Sequence, residues 1–174
     1  MKTKAVLLMI ALMVAPFAFS ASIYKKALDT KKDQYLTTGV VIGGQAGSGF
    51  TLLNVRRESS NKLAMERIIF DMGDREGQPL LKKLGYFHVS VEKNPSRVII
   101  DLSQVARSRV SEINLAKMFE KSPFVAKVEM SMEPEDNAAK IVLNTKVPIA
   151  AEIFEMPSDK KASRLVIDLK KAVR

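Results

Sequence analysis

Between Phe50 and Leu169 the chain alternates short apolar runs with polar breaks. Val, Ile, Leu and Phe fill the runs, and Gly, Pro, Asn, Asp and Ser separate them. Evenly spaced runs of this kind are the pattern of strands in a sandwich or barrel. They predict strands over 50–57, 64–72, 84–92, 96–102, 124–132, 139–145, 149–156 and 163–169. Leu36 to Ile42 reads as a further short strand. One stretch has a different period. Ser111 can cap a helix running through Ile113, Leu115, Ala116 and Phe119 to Lys121. Pro123 then blocks its continuation, because proline lacks the amide proton and clashes with the preceding turn.

The runs are not independent of one another. Arg67-Ile68-Ile69-Phe70-Asp71 and Arg97-Val98-Ile99-Ile100-Asp101-Leu102 share a form with Lys140-Ile141-Val142-Leu143-Asn144 and Arg164-Leu165-Val166-Ile167-Asp168-Leu169. Each is a basic residue, three apolar residues, then Asp or Asn. Arg67 to Lys140 is an offset of 73, and Arg97 to Arg164 an offset of 67, so the longer pattern repeats as well. The first half runs from Phe50 to about Val105 and the second from Phe124 to about Ala172. Each half has a second strand, then a turn holding Pro95 or Pro157, then the second copy of the motif. Neither half is large enough to bury its own apolar face, so the two should pack together. The expected fold is all-β: a β-sandwich of two pseudo-symmetric sheets built from an internal repeat, with one short connecting helix in the 104–123 crossover.

Successive strand residues point to opposite faces. Val98, Ile100 and Leu102 should therefore face the core, with Arg97, Ile99 and Asp101 on the other side. Arg97 and Asp101 lie about 13 Å apart on one strand and cannot bond each other there. They can pair with Asp or Arg across antiparallel neighbours, worth about 0–1 kcal/mol each at a surface. The alternative is that Arg67, Arg97, Lys140 and Arg164 use an exposed sheet face to grip an anionic ligand.

The N-terminus changes where such a ligand would be met. Lys2 and Lys4 precede an uncharged stretch from Ala5 to Phe19, and Ala18-Phe19-Ser20 places small residues at −3 and −1 of a cleavage site. This is the order of a secretory signal peptide over 1–20, cut after Ser20. As a helix the stretch would reach only about 22 Å, short of a ~30 Å hydrocarbon core. The expected mature chain is periplasmic and not membrane-spanning. Loss of two lysines takes the formal net charge from +9 to +7. In an exported protein that charge points away from nucleic acid and towards anionic envelope material, or simply towards solubility. With no cysteine, neither disulfides, thiolate zinc nor N-terminal lipid attachment is available. Residues 21–48 read as a flexible segment: a lysine-rich lead, then Gly43-Gly44-Gln45-Ala46-Gly47-Ser48-Gly49, which lacks the lysine and helix of a phosphate loop.

No catalytic set is expected. The single histidine, His88, shares a strand face with Ser90 and Glu92 and has no second histidine for a metal site. Glu133, Glu135 and Asp136 surround Pro134 at a turn, where solvated carboxylates are ordinary. Asp71, Asp101 and Asp168 sit at strand ends. Met65, Met72, Met118, Met130, Met132 and Met156 read as adaptable core filling. No metal and no cofactor are expected.

The basic-apolar-apolar-apolar-Asp-Leu strands, clearest at Arg97–Leu102 and Arg164–Leu169, with Pro95 before the first, resemble the AMIN domain of bacterial cell-envelope proteins. The resemblance spans about residues 49–171. It implies a β-sandwich of two symmetric sheets and a periplasmic, non-catalytic targeting role. In cell-wall amidases such domains associate with peptidoglycan; in type IV pilus secretins they are thought to anchor the pore to the wall. This sequence carries neither an amidase domain nor secretin modules. The expectation is a peptidoglycan-associated binding module, or, alternatively, an accessory protein-interaction subunit of a pilus or secretin-type envelope machine.

Overall fold

The computed structural model describes residues 24–26, 31, 33–47, 49–133 and 137–173. The signal-peptide expectation for 1–20, and Ser48, Glu135 and Asp136, lie outside the described residues. The elements run β1 (Tyr24–Lys26), β2 (Gly39–Gly43), β3 (Phe50–Ser60), β4 (Met65–Asp74), β5 (Phe87–Lys93), β6 (Ser96–Leu102), β7 (Val105–Ser108), α1 (Glu112–Phe119), β8 (Val125–Glu133), β9 (Ala138–Thr145), β10 (Ile149–Met156) and β11 (Arg164–Lys171). They form an all-β sandwich. One sheet has six strands in the order β1-β2-β5-β6-β9-β8, the other five in the order β10-β11-β4-β3-β7.

The eight predicted strands from Phe50 onward all form, and their pairing exposes the duplication. Each half contributes one hairpin to each sheet. The run β5-β6-β9-β8 in one sheet becomes β10-β11-β4-β3 in the other when the halves are exchanged. The register repeats too. Arg97 lies opposite Asn144 and Asp101 opposite Lys140, just as Arg164 lies opposite Asp71 and Asp168 opposite Arg67. Even the irregularity is duplicated: β3 shifts register between Leu52 and Asn54 against β4, and β8 between Val125 and Lys127 against β9. Inserting one residue reverses which face later side chains take. Both shifts therefore carry Asn54 and Lys127 to the outer face.

Val98, Ile100 and Leu102 are buried in the shared core, and Arg97, Ile99 and Asp101 face outward, half-buried. Phe70, Phe87, Leu143 and Leu165 fill the same core from the four motif and partner strands. One side of the sandwich is closed by β7 and α1. The Ser111 hydroxyl accepts from the Asn114 amide at 3.3 Å, capping the helix as expected. Leu115 and Phe119, four residues apart on one face, are its buried positions. The helix stops at Phe119, two residues short of the predicted Lys121, where the Ser122 amide turns back to the Phe119 carbonyl at 2.9 Å.

Two expectations change. Residues 33–47 of the segment expected to be flexible belong to the fold. Leu36 exchanges backbone hydrogen bonds with Ala151 at the edge of β10 (2.8 Å each way), and β2 then pairs with β5 in the other sheet. The chain thus crosses from one sheet to the other and closes the second side. The glycines serve close approach here. Gly44 has φ +75°, and a Cβ on it would lie 2.1 Å from the Gly85 carbonyl oxygen. The methionines also divide. Met65 and Met72 are buried and Met118 and Met130 pack against the core. Met132 and Met156 are 38% and 37% exposed, because both sit at the far ends of edge strands beyond the covered core.

Candidate functional site

The four basic residues singled out by the repeat divide between the two outer faces. Arg67 and Arg164 lie on the outside of the five-stranded sheet, Arg97 and Lys140 on the outside of the six-stranded one. The common core lies between them, with sheets stacked about 10 Å apart. One small ligand cannot touch all four.

Their environments differ as well. Arg67 grips Asp168 through two parallel hydrogen bonds, Nε to Oδ1 at 2.7 Å and Nη2 to Oδ2 at 2.8 Å. Asp168 is fully buried, and the Arg67 guanidinium also lies 5.6 Å from the Phe154 ring centre. The hydrogen bonds to Asp168 raise the Arg67 pKa above its ordinary value, against the opposing effect of burial. Its Nε and one Nη2 hydrogen are thus taken up by Asp168. Arg97 donates from Nε to Glu92 at 2.6 Å, and Lys140 stands 3.9 Å from Glu133. Arg164 holds Asp71 only loosely, Nε to Oδ1 at 3.6 Å.

Arg164 lines a concavity. This hollow of about 390 Å³ is bounded by Leu53, Asn54, Arg56, Asp71, Lys161, Ala162 and Arg164. Its centre is Asp71, mostly buried. Arg56 donates to both Asp71 oxygens, Nε at 3.1 Å and Nη2 at 3.0 Å. Lys161 comes from the 157–163 loop, which a serine network fixes. The Ser158 hydroxyl accepts from the amides of Lys160 and Lys161, and the Ser163 hydroxyl accepts from the Ser158 amide. Ser163 in turn donates its amide to Leu80 and accepts at its carbonyl from Met72. Three cationic residues and one carboxylate therefore line this hollow, and two of the cations, Arg56 and Arg164, pair with it. Among the described residues no second carboxylate pairs with Arg56, Lys161 or Arg164.

Arg56 and Lys161 escape a reading by periodicity. Simple alternation from Phe50 and Leu52 would place Arg56 on the inner face; the bulge turns it outward. Lys161 lies in a loop, where no period applies. The bulge's sequence signal is a polar residue soon after an aromatic one in each half, Asn54 after Phe50 and Lys127 after Phe124.

The remaining predicted groups stay apart. His88 is half-buried opposite Asp101, with no hydrogen bond between them. Glu133 ends β8 near Lys140. Among the described residues no three His, Asp or Glu side chains are grouped as metal ligands. No described helix is long and apolar enough to cross a membrane. A second, larger hollow of about 990 Å³ opens at one end of the sandwich, where Lys93 and Lys171 flank Val147, Pro148 and Ile149. Its lining holds these two lysines and no arginine. No protein-family model matches this chain, and no curated protein matches it.

Proposed function

We propose that this chain is an exported, non-catalytic binding module of the periplasm that associates with peptidoglycan, in the manner of the AMIN domains it resembles. The observation that carries this reading is the surplus of positive charge at one shaped hollow: Arg56, Lys161 and Arg164 around the single carboxylate of Asp71. Guanidinium groups bind carboxylates and other oxyanions with paired hydrogen bonds. The peptide stems of peptidoglycan are anionic, and the N-terminal sequence is of the kind that brings a chain into their compartment. The net charge of +9, or +7 without Lys2 and Lys4, favours the same encounter.

Co-sedimentation with purified sacculi tests the reading. The protein should pellet at low ionic strength and be released as salt rises, since screening weakens exposed charge contacts. A protein that stays in the supernatant at low salt contradicts it.

A second reading is an accessory subunit of a pilus or secretin-type machine. Ile113, 67% exposed, and Met132, 38% exposed, support it. They flank the joint where Glu112 of α1 accepts from the Met130 amide on the edge strand β8 (3.3 Å). A photo-crosslinker at Ile113 should then capture envelope-machine proteins in cells; capture of none argues against this role.

A further inference from the structure

The two sheets carry the same framework twice, so each outer position has a twin that serves as an internal control. Across the five-stranded sheet, Met156, Arg164, Asp71 and Asn54 form one cross-strand row. Their twins across the six-stranded sheet are Glu92, Arg97, Asn144 and Lys127. Arg56 has Glu129 as its twin, each lying opposite the apolar residue two before the row.

The twin rows neutralise their charge differently. In the six-stranded sheet, Arg97 is answered by Glu92 at 2.6 Å and Lys127 by Glu129 at 2.8 Å, so two cations meet two carboxylates. In the five-stranded sheet the position of Glu92 is Met156 and that of Glu129 is Arg56. Two acidic positions of one row are thus apolar or basic in the other, whose one acid, Asp71, stands where the twin row has Asn144. Asp71 alone answers Arg56 and Arg164, and Lys161 adds a third cation from its clamped loop. Keeping the fold does not require this surplus, because the twin row manages without it.

The geometry around Asp71 also leaves donors available. Arg56 spends Nε and one Nη2 hydrogen on Asp71, and Arg164 approaches it only through Nε. Arg56, Arg164 and Lys161 all line the hollow, and the other Nη hydrogens of the two arginines make no hydrogen bond among the described residues. Leu53 and Ala162 add apolar wall, and Asn54 adds an amide. A bare phosphate would make no use of the apolar wall. A short peptide with small aliphatic side chains and a free carboxylate would use both.

We infer that this hollow is a carboxylate subsite: Arg56, Arg164 and Lys161 receive the free carboxylate of a short peptide, Leu53 and Ala162 pack against its small side chain, and Asp71 positions the two guanidinium groups. The inference deepens the peptidoglycan reading, since it selects the peptide stems rather than the glycan as the bound part.

The test is an amide NMR titration of the full chain with alanyl-alanine, its C-terminal amide and inorganic phosphate as separate probes. The free acid should shift resonances of Asn54, Arg56, Ala162 and Arg164. The amide analogue should bind roughly tenfold more weakly or worse, the expected scale for one lost charge-assisted hydrogen bond. Arg164→Gln and Lys161→Gln should each weaken the acid similarly, while Arg97→Gln, on the twin row, should leave it unchanged. Phosphate binding as tightly as the acid, or acid and amide binding alike, overturns the inference. So does acid binding unaffected by both Arg164→Gln and Lys161→Gln in folded protein. The two levels fail separately. Dipeptide binding here by a protein that ignores sacculi would sink the peptidoglycan reading alone. Pelleting with sacculi that is insensitive to both variants would sink the subsite alone.

Discussion

The outer faces of the two sheets began from one pattern and now hold their side chains in opposite ways. On the five-stranded sheet, Ile69, Phe154 and Val166 form a small buried cluster outside the main core. Beside it lie the buried carboxylates of Asp168 and Glu152, the first locked by Arg67. Lys31 and residues 33–36 lie over one end of this face. Lys31 stands 3.9 Å from Asp168, the Gln34 amide donates to Glu152, and the Lys170 ammonium lies 4.3 Å from the Tyr35 ring centre. The twins on the six-stranded sheet, His88, Asp101, Lys140, Ser90, Ile99 and Val142, are all half-buried, and none is fully enclosed. The inner faces of both sheets answer to one core and have kept their apolar character. The outer faces answer to whatever covers them, and there the copies have diverged. A basic residue and an aspartate at the same register are thus a locked pair on one face and loose surface charge on the other.

Apolar burial gives the largest test of that contrast. Phe154→Ala should cost about 3–5 kcal/mol, the usual price of emptying a buried aromatic site. Its twin change, Ser90→Ala, should stay within about 0.5 kcal/mol. Urea unfolding of the two variants measures both; equal losses would mean the faces are equivalent after all.

The charge pairs should separate next. Arg67→Ala leaves Asp168 buried without its bidentate partner and should cost about 3 kcal/mol, the lower end for breaking a buried pair, since Arg67 is itself partly exposed. Lys140→Ala, at the twin position, should cost under about 1 kcal/mol. The same unfolding experiment decides, and a Lys140 loss as large as that of Arg67 would erase the distinction.

The smallest effect concerns the neutralised row. The Glu129 carboxyl is held below its ordinary value of 4.5, first by the hydrogen bond and charge of Lys127 and then by Asn144. A depressed native pKa contributes stability above the ordinary glutamate range, and that contribution disappears as pH falls through the depressed value. An NMR titration should show a Glu129 midpoint below 4.5 that Lys127→Met moves upward. No movement would mean that the pair does not persist in solution.

Much of this architecture is legible in the sequence. Period-two alternation assigns Val98, Ile100 and Leu102 to the core and the motif charges to the outside. The basic-to-Asp motif reveals the duplication, and Ser111 and Pro123 bracket the helix. Alternation does not say which hairpins pair, so the exchange of β5–β6 and β10–β11 between halves appears only in the structure. Nor does composition separate glycines that free a chain from glycines that let two backbones touch; Gly44 against Gly85 is the second kind. The site was half legible. Arg164 carries the motif, but Arg56 depends on a bulge that reverses the alternation, and Lys161 depends on a loop fixed by Ser158 and Ser163. Arg67 looked equivalent to Arg164 because the motif cannot show that its aspartate partner is buried.

Sedimentation with sacculi of the unmodified protein, Arg164→Gln and Arg97→Gln, run side by side at low salt, asks whether the hollow at Asp71 on the five-stranded sheet binds the wall and its twin row does not. Arg164→Gln should be largely lost from the pellet while Arg97→Gln pellets like the unmodified chain. Equal retention of both variants, or equal loss of both, would contradict this.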